Sequence, residues 1–580
     1  MPYDAIATAR PDQLRSCFRK GRAPWLIRDG KMGFLRVGGA ETDLDRAVDR
    51  RAFSTLMRER HAALLHYQAT RSLADQQPEE SALYAFKRSP SPQAAQYCFG
   101  ALLIFTLAVA PAIAIATAVL IASASFLAIA IFRVALAIIA RNGVRPAARK
   151  PLGDEDLPTV TILAPLYREA HALPGLMRSL LNLDYPAEKL DIKLLLEEDD
   201  LETREEAFRI APDDRFDVIV IPPSFPRTKP KACNYGLACA RGDLIVIYDA
   251  EDEPDARQLR CAAEIFAAAD DALACVQARL NYYNPEENWL TRLFTLEYCL
   301  WFDHFLPALD RLGAPVPLGG TSNIFRTEIL AEAGGWDPHN VTEDADLGLR
   351  LARRGYRTAV IDSTTLEEAN CRVGNWMRQR SRWMKGFMQT WLVHRCNQRG
   401  LNDWRSIVAV DLLIGGTALA ALANPILWAA LLAERMFGFS LLAPLPDALR
   451  HATTAALIFG NLSFLALAAY APITRGLARL SPAALMTPFY WLMMSAAAWK
   501  ALWQLARRPS YWEKTEHGLS SAADARRAAA LEAIGLESER PSRQVQIREL
   551  NAADGRPMSK GSCLNEPRRP PLSKNERPRQ

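Results

Sequence analysis

The sequence predicts an α/β domain, built on a parallel sheet, that is combined with an α-helical transmembrane domain. From residue 157, short β-rich runs alternate with helical runs, a pattern typical of a parallel sheet with crossover helices. Residues 101–132 carry no charged side chain, and later apolar blocks run over residues 407–432, 455–470 and 483–501. Each block exceeds or approaches the roughly 20 residues that cross a bilayer.

Composition narrows the class of protein. The chain has 580 residues, enough for several domains, and its formal net charge of +5 does not indicate nucleic-acid binding. Its ten cysteines include no C-x-x-C pair, so neither a structural metal site nor a disulfide framework is predicted.

Two segments precede the predicted sheet. Residues 1–95 form a polar, arginine-rich N-terminal region whose apolar clusters predict a small helical unit with no assigned chemistry. Residues 96–141 are predicted to form a transmembrane hairpin with Pro111 at its turn. Arg133 is expected to snorkel toward the cytosol, because the basic stretch 141–150 follows on the positive side of the membrane.

The predicted catalytic domain spans residues 157–370. Strands are placed at residues 160–165, 192–196, 217–221, 244–248 and 275–282, and two of the helices at residues 172–183 and 256–269. In such sheets ligands bind outside the carboxyl ends of the strands. The residues that follow each strand are therefore the candidates for a site.

Acidic clusters follow two of these strands. The second strand leads into Glu197-Glu198-Asp199-Asp200, and the fourth into Asp249-Ala250-Glu251-Asp252. A single acidic turn is usually a solvated helix cap. Two of them at the ends of parallel strands predict oxygen ligands for Mg²⁺ or Mn²⁺ together with a diphosphate. Lys229 and Lys231 are placed to complement the phosphate charge.

Three further positions contribute candidates. Tyr167 and Glu169 come directly after the first strand. The run of small residues from Gly319 to Asn323 is expected where a ligand comes close to the backbone. Thr342-Glu343-Asp344 opens a helix, whose positive dipole end favours an ionised Asp344. That carboxylate either acts as a base or only caps the helix.

Residues 371–400 predict an amphipathic helix at the membrane interface. Gln379, Arg382 and Trp383 share one side of this helix, and its seven basic residues with no acidic one suit a membrane surface or anionic ligands. The aromatic residues on that side recur at helical spacing: Trp376, Trp383, Phe387 and Trp391.

The rest of the chain predicts membrane helices and a tail. Residues 405–506 are expected to hold transmembrane helices. Lys500 and two arginines flank the last apolar block and favour a cytosolic tail, so an even number of crossings is expected after the catalytic domain. Residues 520–580 are predicted to be a disordered tail that begins with one short alanine-rich helical run.

The ordered motifs resemble those of membrane-embedded family 2 glycosyltransferases of the processive kind, such as bacterial cellulose synthase catalytic subunits. They are the acidic turn, the Asp-x-acid pair, the Gly-rich Ser-Asn loop, Thr-Glu-Asp and the Gln-x-x-Arg-Trp sequence that ends at Trp383. The resemblance spans roughly residues 158–385. It implies a GT-A (Rossmann-like) domain on the cytosolic face, a nucleotide-sugar donor, and an inverting transfer that extends a β-linked glycan.

The resemblance also implies a role for each matching residue. Asp344 is the general base, and Asp249 with Glu251 holds the metal, although the usual residue at the second position is Asp. In the acidic turn, Glu198 is preferred for the nucleotide, with Asp199 as the alternative. The donor residues are Tyr167, Glu169, Glu198, Asp199, Lys231, Asp249 and Arg382. The acceptor residues are Gln379, Trp383, Ser322 and Asn323.

The implied reaction requires Mg²⁺ or Mn²⁺ and a donor that we expect to be UDP-glucose. The expected location is the bacterial inner membrane, with multiple crossings, contacts to membrane lipids and a cytoplasmic catalytic domain. The acceptor is a growing glycan, no nucleic acid is involved, and any export partner is left open. Two alternatives are a non-processive transferase that glycosylates a lipid carrier and a catalytically silent membrane scaffold of polysaccharide export. The departures at Glu198 and Glu251 keep the silent scaffold open.

Overall fold

A computed structural model describes residues 10–26, 32–39, 45–84, 108–144, 147–210, 215–396, 404–438 and 440–533. The chain divides into two compact units, Met1–Ile534 and Gly535–Gln580, and the second lies outside the described residues. Residues 534–580 of the predicted tail are therefore outside this description.

The described strands, β1 to β11 in chain order, are Arg22–Leu26, Met32–Val37, Asp45–Val48, Val160–Leu166, Leu190–Glu197, Phe216–Ile221, Leu244–Ile247, Glu253–Pro254, Leu273–Tyr282, Asn323–Arg326 and Arg357–Glu367. The described α-helices, α1 to α19, are Pro11–Lys20, Arg50–Arg60, Ala62–Thr70, Ser72–Gln76, Pro111–Ile139, Leu173–Leu181, Leu201–Ile210, Lys229–Ala238, Gln258–Ala268, Trp289–Leu300, Leu306–Leu312, Thr327–Glu332, Glu343–Arg353, Val373–Cys396, Trp404–Ala409, Gly416–Phe437, Asp447–Thr474, Thr487–Arg507 and Ser521–Ala533. Short 3₁₀ helices occupy Pro78–Glu80, Ala187–Lys189 and Ala478–Met486, and π-helical turns occupy Trp301–Phe305 and Val410–Gly415.

An eight-stranded sheet in the order β6-β5-β4-β7-β10-β9-β11-β8 forms the catalytic domain. All five predicted strands are present in it. The sheet is mixed, however, because β10 runs antiparallel between β7 and β9, and β8 pairs antiparallel with β11. The predicted parallel arrangement therefore holds for six of the eight strands, and the two antiparallel strands, of four and two residues, were too short to recognise. β5 is buried along its whole length, as expected for a strand with both faces covered.

The N-terminal region is only partly helical. Its strands β1, β2 and β3 form a separate three-stranded sheet, which the prediction of a helical unit missed. Side chains of α1 to α3, such as Phe18, Phe53 and Leu65, share a hydrophobic core with Tyr235 and Leu237 of α8. This unit therefore packs against α8 of the catalytic domain.

Three described helices are long and apolar enough to cross a membrane. They are α5, the helix Trp404–Phe437 that joins α15 to α16, and α17. Pro111 is the first residue of α5, and residues 96–107 of the predicted hairpin lie outside the described residues. Arg133 lines a cavity, and its extension toward the cytosol stays a prediction.

Helix α18 was predicted to be the last span, but it lies alongside α14. Near its start, Tyr490 accepts a hydrogen bond from the Trp376 indole at 3.2 Å. Just beyond its end, the Pro509 carbonyl accepts one from Gln389 at 3.1 Å. Both ends of α18 thus contact the same helix, which leaves two candidate spans between the catalytic domain and residue 475.

Helix α14 covers most of the predicted interface helix but does not lie on a surface. Arg380 and Lys385 are 2% and 0% exposed. Arg380 forms two hydrogen bonds to Glu297 at 2.8 and 2.6 Å, and Lys385 donates to the Tyr511 carbonyl. Because these cations have internal partners, they do not face lipid headgroups. The exposed apolar face belongs instead to α18, through Phe489, Leu492, Trp499 and Trp503.

Candidate active site

One cavity of about 660 Å³ runs from the carboxyl ends of the central strands to the membrane helices. Its sheet end is lined by the residues that follow β4 and β7, by the end of β5 and by the start of α13. Its helix end lies among α5, α16, α17 and α18. The names sheet end and helix end are kept below.

The acidic pair after β7 faces the sheet end. Asp249 accepts a hydrogen bond from Lys229 Nζ at 2.7 Å, and the same ammonium donates to the Gly320 carbonyl at 2.7 Å. Glu251 lies 2.8 Å from His517 Nδ1. Burial alone would raise the pKa of Glu251, but the charge of His517 holds it at about 2. Glu251 in turn raises the pKa of His517 to about 9.

Two more carboxyl groups lie behind this pair. Asp252 accepts hydrogen bonds from the Asp249 amide at 2.7 Å and from the Thr321 hydroxyl. Burial and the charges of Asp249 and Glu251 raise the pKa of Asp252 well above its usual range. Burial and the charge of Asp252 also raise the pKa of Glu367 well above its usual range. The sheet end therefore has a surplus of acidic groups, which suits a cationic ligand.

Asp344 lies at the start of α13 and opens into the same cavity. Thr342 occupies the N-cap position, so Asp344 is not the capping residue, although it accepts from the Ala345 amide at 2.7 Å. Burial raises the pKa of Asp344 to about 6. Burial and the Asp344 charge raise that of Glu343 to about 8. At neutral pH, Asp344 is thus ionised beside a protonated Glu343.

Two glycines allow this arrangement. A Cβ at Gly386 would lie 2.3 Å from Thr342 Cγ2, so only glycine lets α14 pack this closely on the Thr-Glu-Asp turn. A Cβ at Gly320 would lie 3.4 Å from Asp344 Oδ2 and 3.8 Å from Lys229 Nζ. The absence of a side chain at Gly320 keeps the space in front of the Asp344 carboxylate open.

The predicted Gln-x-x-Arg-Trp face also lines the cavity. Gln379 accepts from the Asn370 amide at 2.8 Å. Arg382 donates to the Glu513 carbonyl at 3.0 Å. Trp383 stacks on Tyr298, with ring centroids 6.2 Å apart and planes at 25°. These three residues lie between the sheet end and the helix end.

Residues 509–520, here called the strap, close one side of the cavity and were missed by the sequence analysis. Lys514 forms an ion pair with Glu169. Glu513 accepts from Lys500 at 2.9 Å and from Ser381 at 3.3 Å. Glu368 accepts from the Leu519 and Ser520 amides at 2.9 and 2.7 Å. A signal was present, since Trp512, Lys514 and His517 cluster in a polar segment directly after an apolar block.

Two of the predicted donor residues, Glu198 and Asp199, lie outside the cavity. Tyr167, Glu169, Asp249 and Arg382 line the cavity, but Glu198 and Asp199 are exposed outside it. Glu197, at the end of β5, faces the cavity in place of Glu198. Because the strand continues through Glu197 and fixes its side chain inward, the cavity lining favours Glu197, and the nucleotide contact of Glu198 or Asp199 stays a prediction.

Lys231, Ser322 and Asn323 also lie outside the cavity lining. Lys231 is fully buried and bonds Glu197 at 2.8 Å, so Lys229 is the lysine that faces the cavity. Ser322 bonds the Thr365 hydroxyl at 2.6 Å. Asn323 donates to the Gly319 carbonyl at 2.6 Å. These two predicted acceptor residues therefore support the loop from behind, whereas Gly319, Gly320 and Thr321 line the cavity.

Within the described residues, no group of three His, Cys, Asp or Glu side chains is arranged as a complete metal site. Asp249 and Glu251 supply carboxylate oxygens, which are ligands that Mg²⁺ and Mn²⁺ prefer. The surplus of acidic groups around them fits a divalent cation, provided that a ligand supplies the remaining oxygens.

The chain matches a family model and proteins that are described as glycosyltransferases or as synthases. Residues 244–500 match a family model described as "Glycosyl transferase family group 2". The chain is 26% identical over 237 residues to a probable glycosyltransferase, YdaM, of Bacillus subtilis, which covers 40% of this chain and 56% of that protein. It is 25% identical over 241 residues to the beta-monoglucosyldiacylglycerol synthase of Trichormus variabilis, covering 41% and 50%.

A third relative is the cellulose synthase 1 catalytic subunit [UDP-forming] of Komagataeibacter xylinus, 28% identical over 262 residues, covering 43% of this chain and 34% of that protein. The chain thus spans about half the length, or less, of these relatives. The family model begins at β7 and includes the acidic pair, Asp344 and the Gln379 to Trp383 face. The sheet, the cavity and these matches thus make residues 244–500 similar to family 2 glycosyltransferases.

Proposed function

We propose that this protein is an inverting, metal-dependent glycosyltransferase that extends a β-linked glycan from a nucleotide sugar. The observation that carries the proposal is the shared cavity of Asp344, the Asp249 and Glu251 pair, and Trp383. The buried Asp344 carboxylate and the acidic and basic groups suited to a metal diphosphate lie together at the sheet end. Trp383 offers an aromatic surface suited to a sugar next to them.

The proposed step is a direct displacement. An acceptor hydroxyl oxygen forms a bond to the anomeric carbon as the bond from that carbon to the diphosphate oxygen breaks. The leaving nucleoside diphosphate keeps the electron pair, and Asp344 takes the hydroxyl proton. Attack from the face opposite the leaving group inverts the anomeric centre, which gives a β-linkage from an α-linked donor.

The leaving group gains negative charge, and this chain has cations placed to receive it. Lys229 and Arg382 face the cavity beside Asp249 and Asp344. When bound at Asp249 and Glu251, Mg²⁺ or Mn²⁺ would supply further charge stabilisation to the diphosphate. Lys229 and His517 now contact these two carboxylates, so donor binding is expected to redistribute those contacts.

The donor is proposed to be UDP-glucose. Support comes from the motif resemblance and from the "UDP-forming" description of the cellulose synthase relative. Tyr167, Glu169 and Glu197 are the residues proposed to surround the nucleotide, with Arg227 beside them. This set keeps the predicted Tyr167 and Glu169 and replaces the acidic residues that lie outside the cavity.

The proposed location is the bacterial inner membrane, with the catalytic domain in the cytoplasm. The three apolar helices support membrane crossings. The exposed Trp499 and Trp503 of α18 support a helix that lies in the interface, where tryptophan is enriched. Membrane lipids are thus proposed contacts, and an export partner is left open.

A second candidate is transfer to a lipid carrier without chain extension. Two observations favour it: the cavity reaches between the membrane helices, and one relative is described as a beta-monoglucosyldiacylglycerol synthase. The two candidates share the donor site and the base. They differ in the size of the product.

The test is a donor screen with the full chain reconstituted in lipid nanodiscs. Labelled nucleotide sugars are supplied with and without Mg²⁺ or Mn²⁺, and products are separated by size, extraction into chloroform and linkage analysis. We expect metal-dependent incorporation that is greatest with UDP-glucose. Failure of every donor to react while UDP still binds would favour the silent scaffold. A product of one sugar per lipid would favour the second candidate.

A further inference from the structure

The helix end of the cavity contains a cation with no carboxylate partner. Arg133 lies on α5, a helix that is long and apolar enough to cross a membrane. Its Nη2 donates to the Thr417 hydroxyl at 2.6 Å, and its Nε is buried with no partner among the described residues. The guanidinium carbon lies 5.0 Å from the Phe464 ring centroid and 5.8 Å from that of Phe305.

A charged side chain inside a membrane helix is costly and usually marks a functional site. The one carboxylate nearby is already neutralised. Glu297 lines the same cavity, but it accepts two hydrogen bonds from Arg380 and one from the Tyr490 hydroxyl at 2.7 Å. Arg133 is therefore left with aromatic faces and one hydroxyl, which are weak substitutes for an anion.

Most of the other polar groups at the helix end are occupied by the protein itself; the exception is the buried Thr487 hydroxyl, which has no partner among the described residues. Asn424 and Asn461 exchange hydrogen bonds at 2.9 and 3.1 Å. The Thr417 hydroxyl donates to the Leu413 carbonyl at 2.6 Å. A sugar carries several hydroxyl groups, each of which needs a partner when it leaves water. Few such partners are free here, so this end suits an apolar chain better than a glycan.

The remaining lining agrees with that chemistry. Phe126, Ala420, Ala421, Pro425, Phe464 and Met494 contribute apolar surface to the helix end. Arg133 lies six residues before the end of α5 at Ile139, which is about 9 Å along a helix. Arg133 therefore lies nearer to one end of this 29-residue candidate span than to its middle.

We propose that the helix end is a subsite for an anionic lipid acceptor, whose phosphate binds Arg133 and whose apolar chain lies among α5, α16 and α17. The hydroxyl of its headgroup would extend past Trp383 toward Asp344. The proposal rests on the proposed function, because it names the acceptor of the first transfer. It adds a charge requirement that neither candidate function contains.

The test measures lipid retention by the full chain. Protein in a neutral detergent is titrated with phosphatidylglycerol or with diacylglycerol of the same acyl chains, which lacks the phosphate, and bound lipid is counted by native mass spectrometry. We expect one phosphatidylglycerol per chain, retained at least about tenfold more strongly than diacylglycerol, as a charge-assisted hydrogen bond would give. Arg133→Gln should lower retention of phosphatidylglycerol to the level of diacylglycerol, and Arg133→Lys should keep part of the preference.

The matched control is Arg405→Gln, which removes an exposed arginine at the start of another candidate span without touching the cavity. Its retention of phosphatidylglycerol should equal that of the unsubstituted protein. Equal retention of both lipids, or no change in Arg133→Gln, would overturn the proposal. Displacement by millimolar inorganic phosphate would point to a free anion, and displacement by a hexuronic acid tetrasaccharide to an acidic glycan; either would overturn it as well.

UDP binding is measured on the same samples. A variant that still binds UDP is folded. If Arg133→Gln does not bind UDP, the lipid retention of Arg133→Lys decides the outcome. If the unsubstituted protein fails to bind UDP but still selects phosphatidylglycerol, the proposed function fails while the lipid subsite stands. If it binds UDP and shows no lipid selection, the subsite fails alone.

Discussion

The sheet end and the helix end of the cavity hold their charges in opposite ways. At the sheet end, cations contact carboxylates, as Lys229 does Asp249 and His517 does Glu251. At the helix end, Arg133 contacts a hydroxyl and two aromatic rings. Paired charges can exchange partners when a charged donor enters, whereas a lone cation in an apolar space selects one anion. Chemistry and acceptor retention are therefore separate tasks, and substitutions at the two ends should have separable effects.

The largest effect is expected from Asp344→Asn at the sheet end. The substitution keeps the shape of the side chain but removes the proton acceptor, so the rate of transfer should fall about 10²- to 10⁴-fold. Binding of UDP and retention of lipid should not change. Initial rates of labelled sugar incorporation and equilibrium UDP binding measure the two quantities.

The matched control is Glu343→Gln, because burial and the Asp344 charge raise the pKa of this neighbouring carboxyl to about 8 and keep it protonated at neutral pH. Its replacement by an uncharged amide should lower the rate by less than about tenfold. Equal losses in both variants would show that Asp344 has no special role as a base.

The second expected effect is an acid limb in the pH profile. Burial raises the pKa of Asp344 to about 6, so the carboxylate is ionised above that pH and protonated below it. The maximal rate should therefore fall as the pH drops through about 6, by about tenfold at one unit below. Lipid retention should remain constant over the same range, since Arg133 does not titrate there. A flat rate profile between pH 5 and 7 would contradict the assignment.

The third effect concerns the strap, which closes the sheet end. Glu513→Gln removes the charge and one of the two acceptor oxygens that hold Lys500, Ser381 and Gln504, and should raise the donor KM about tenfold because the charge-assisted hydrogen bond is lost. Glu516→Gln is the control on the same segment. Its side chain is 62% exposed and pairs with Arg378 at 3.3 Å, so less than about a threefold change is expected. Similar values for both variants would mean that the strap does not order the donor site.

The sequence predicted the parts of the site that are local. Asp249, Asp344 and the Gln379 to Trp383 face are each fixed by a strand end or by helical spacing, and all line the cavity. The choice of Glu198 over Glu197 differs from the structure because side chains alternate along a strand. The true end of β5 decides which of the two faces inward.

The other differences between prediction and structure depend on helix geometry or on contacts between distant segments of the chain. Lys229 and Lys231 lie two positions apart on α8, and such residues point to nearly opposite sides of a helix. The strap reaches the cavity from more than a hundred residues beyond the Thr-Glu-Asp motif, so its cluster of Trp512, Lys514 and His517 marks a candidate segment without specifying what that segment contacts. The basic residues of α14 suggested a surface because their partners, such as Glu297, come from distant elements.

The smallest effect is expected at Trp383, where the two ends of the cavity meet. Its ring stacks on Tyr298 and offers an apolar face to an acceptor. Trp383→Leu should raise the acceptor KM between about two- and tenfold, the range that follows from about 0.5 to 1.5 kcal/mol for an aromatic contact. The donor KM should not change, because the donor residues lie beyond Arg382 at the sheet end. Initial rates at varied concentrations of each substrate separate the two constants.

The control is Trp391→Phe on the same helix, whose indole bonds Asp411 at 3.0 Å outside the cavity lining. It should leave both constants unchanged. If Trp383→Leu raises the donor KM instead, this residue belongs to the sheet end, and the boundary between the two ends moves toward the membrane helices. If it raises both constants, a single bound geometry couples donor and acceptor, and the two ends act as one site.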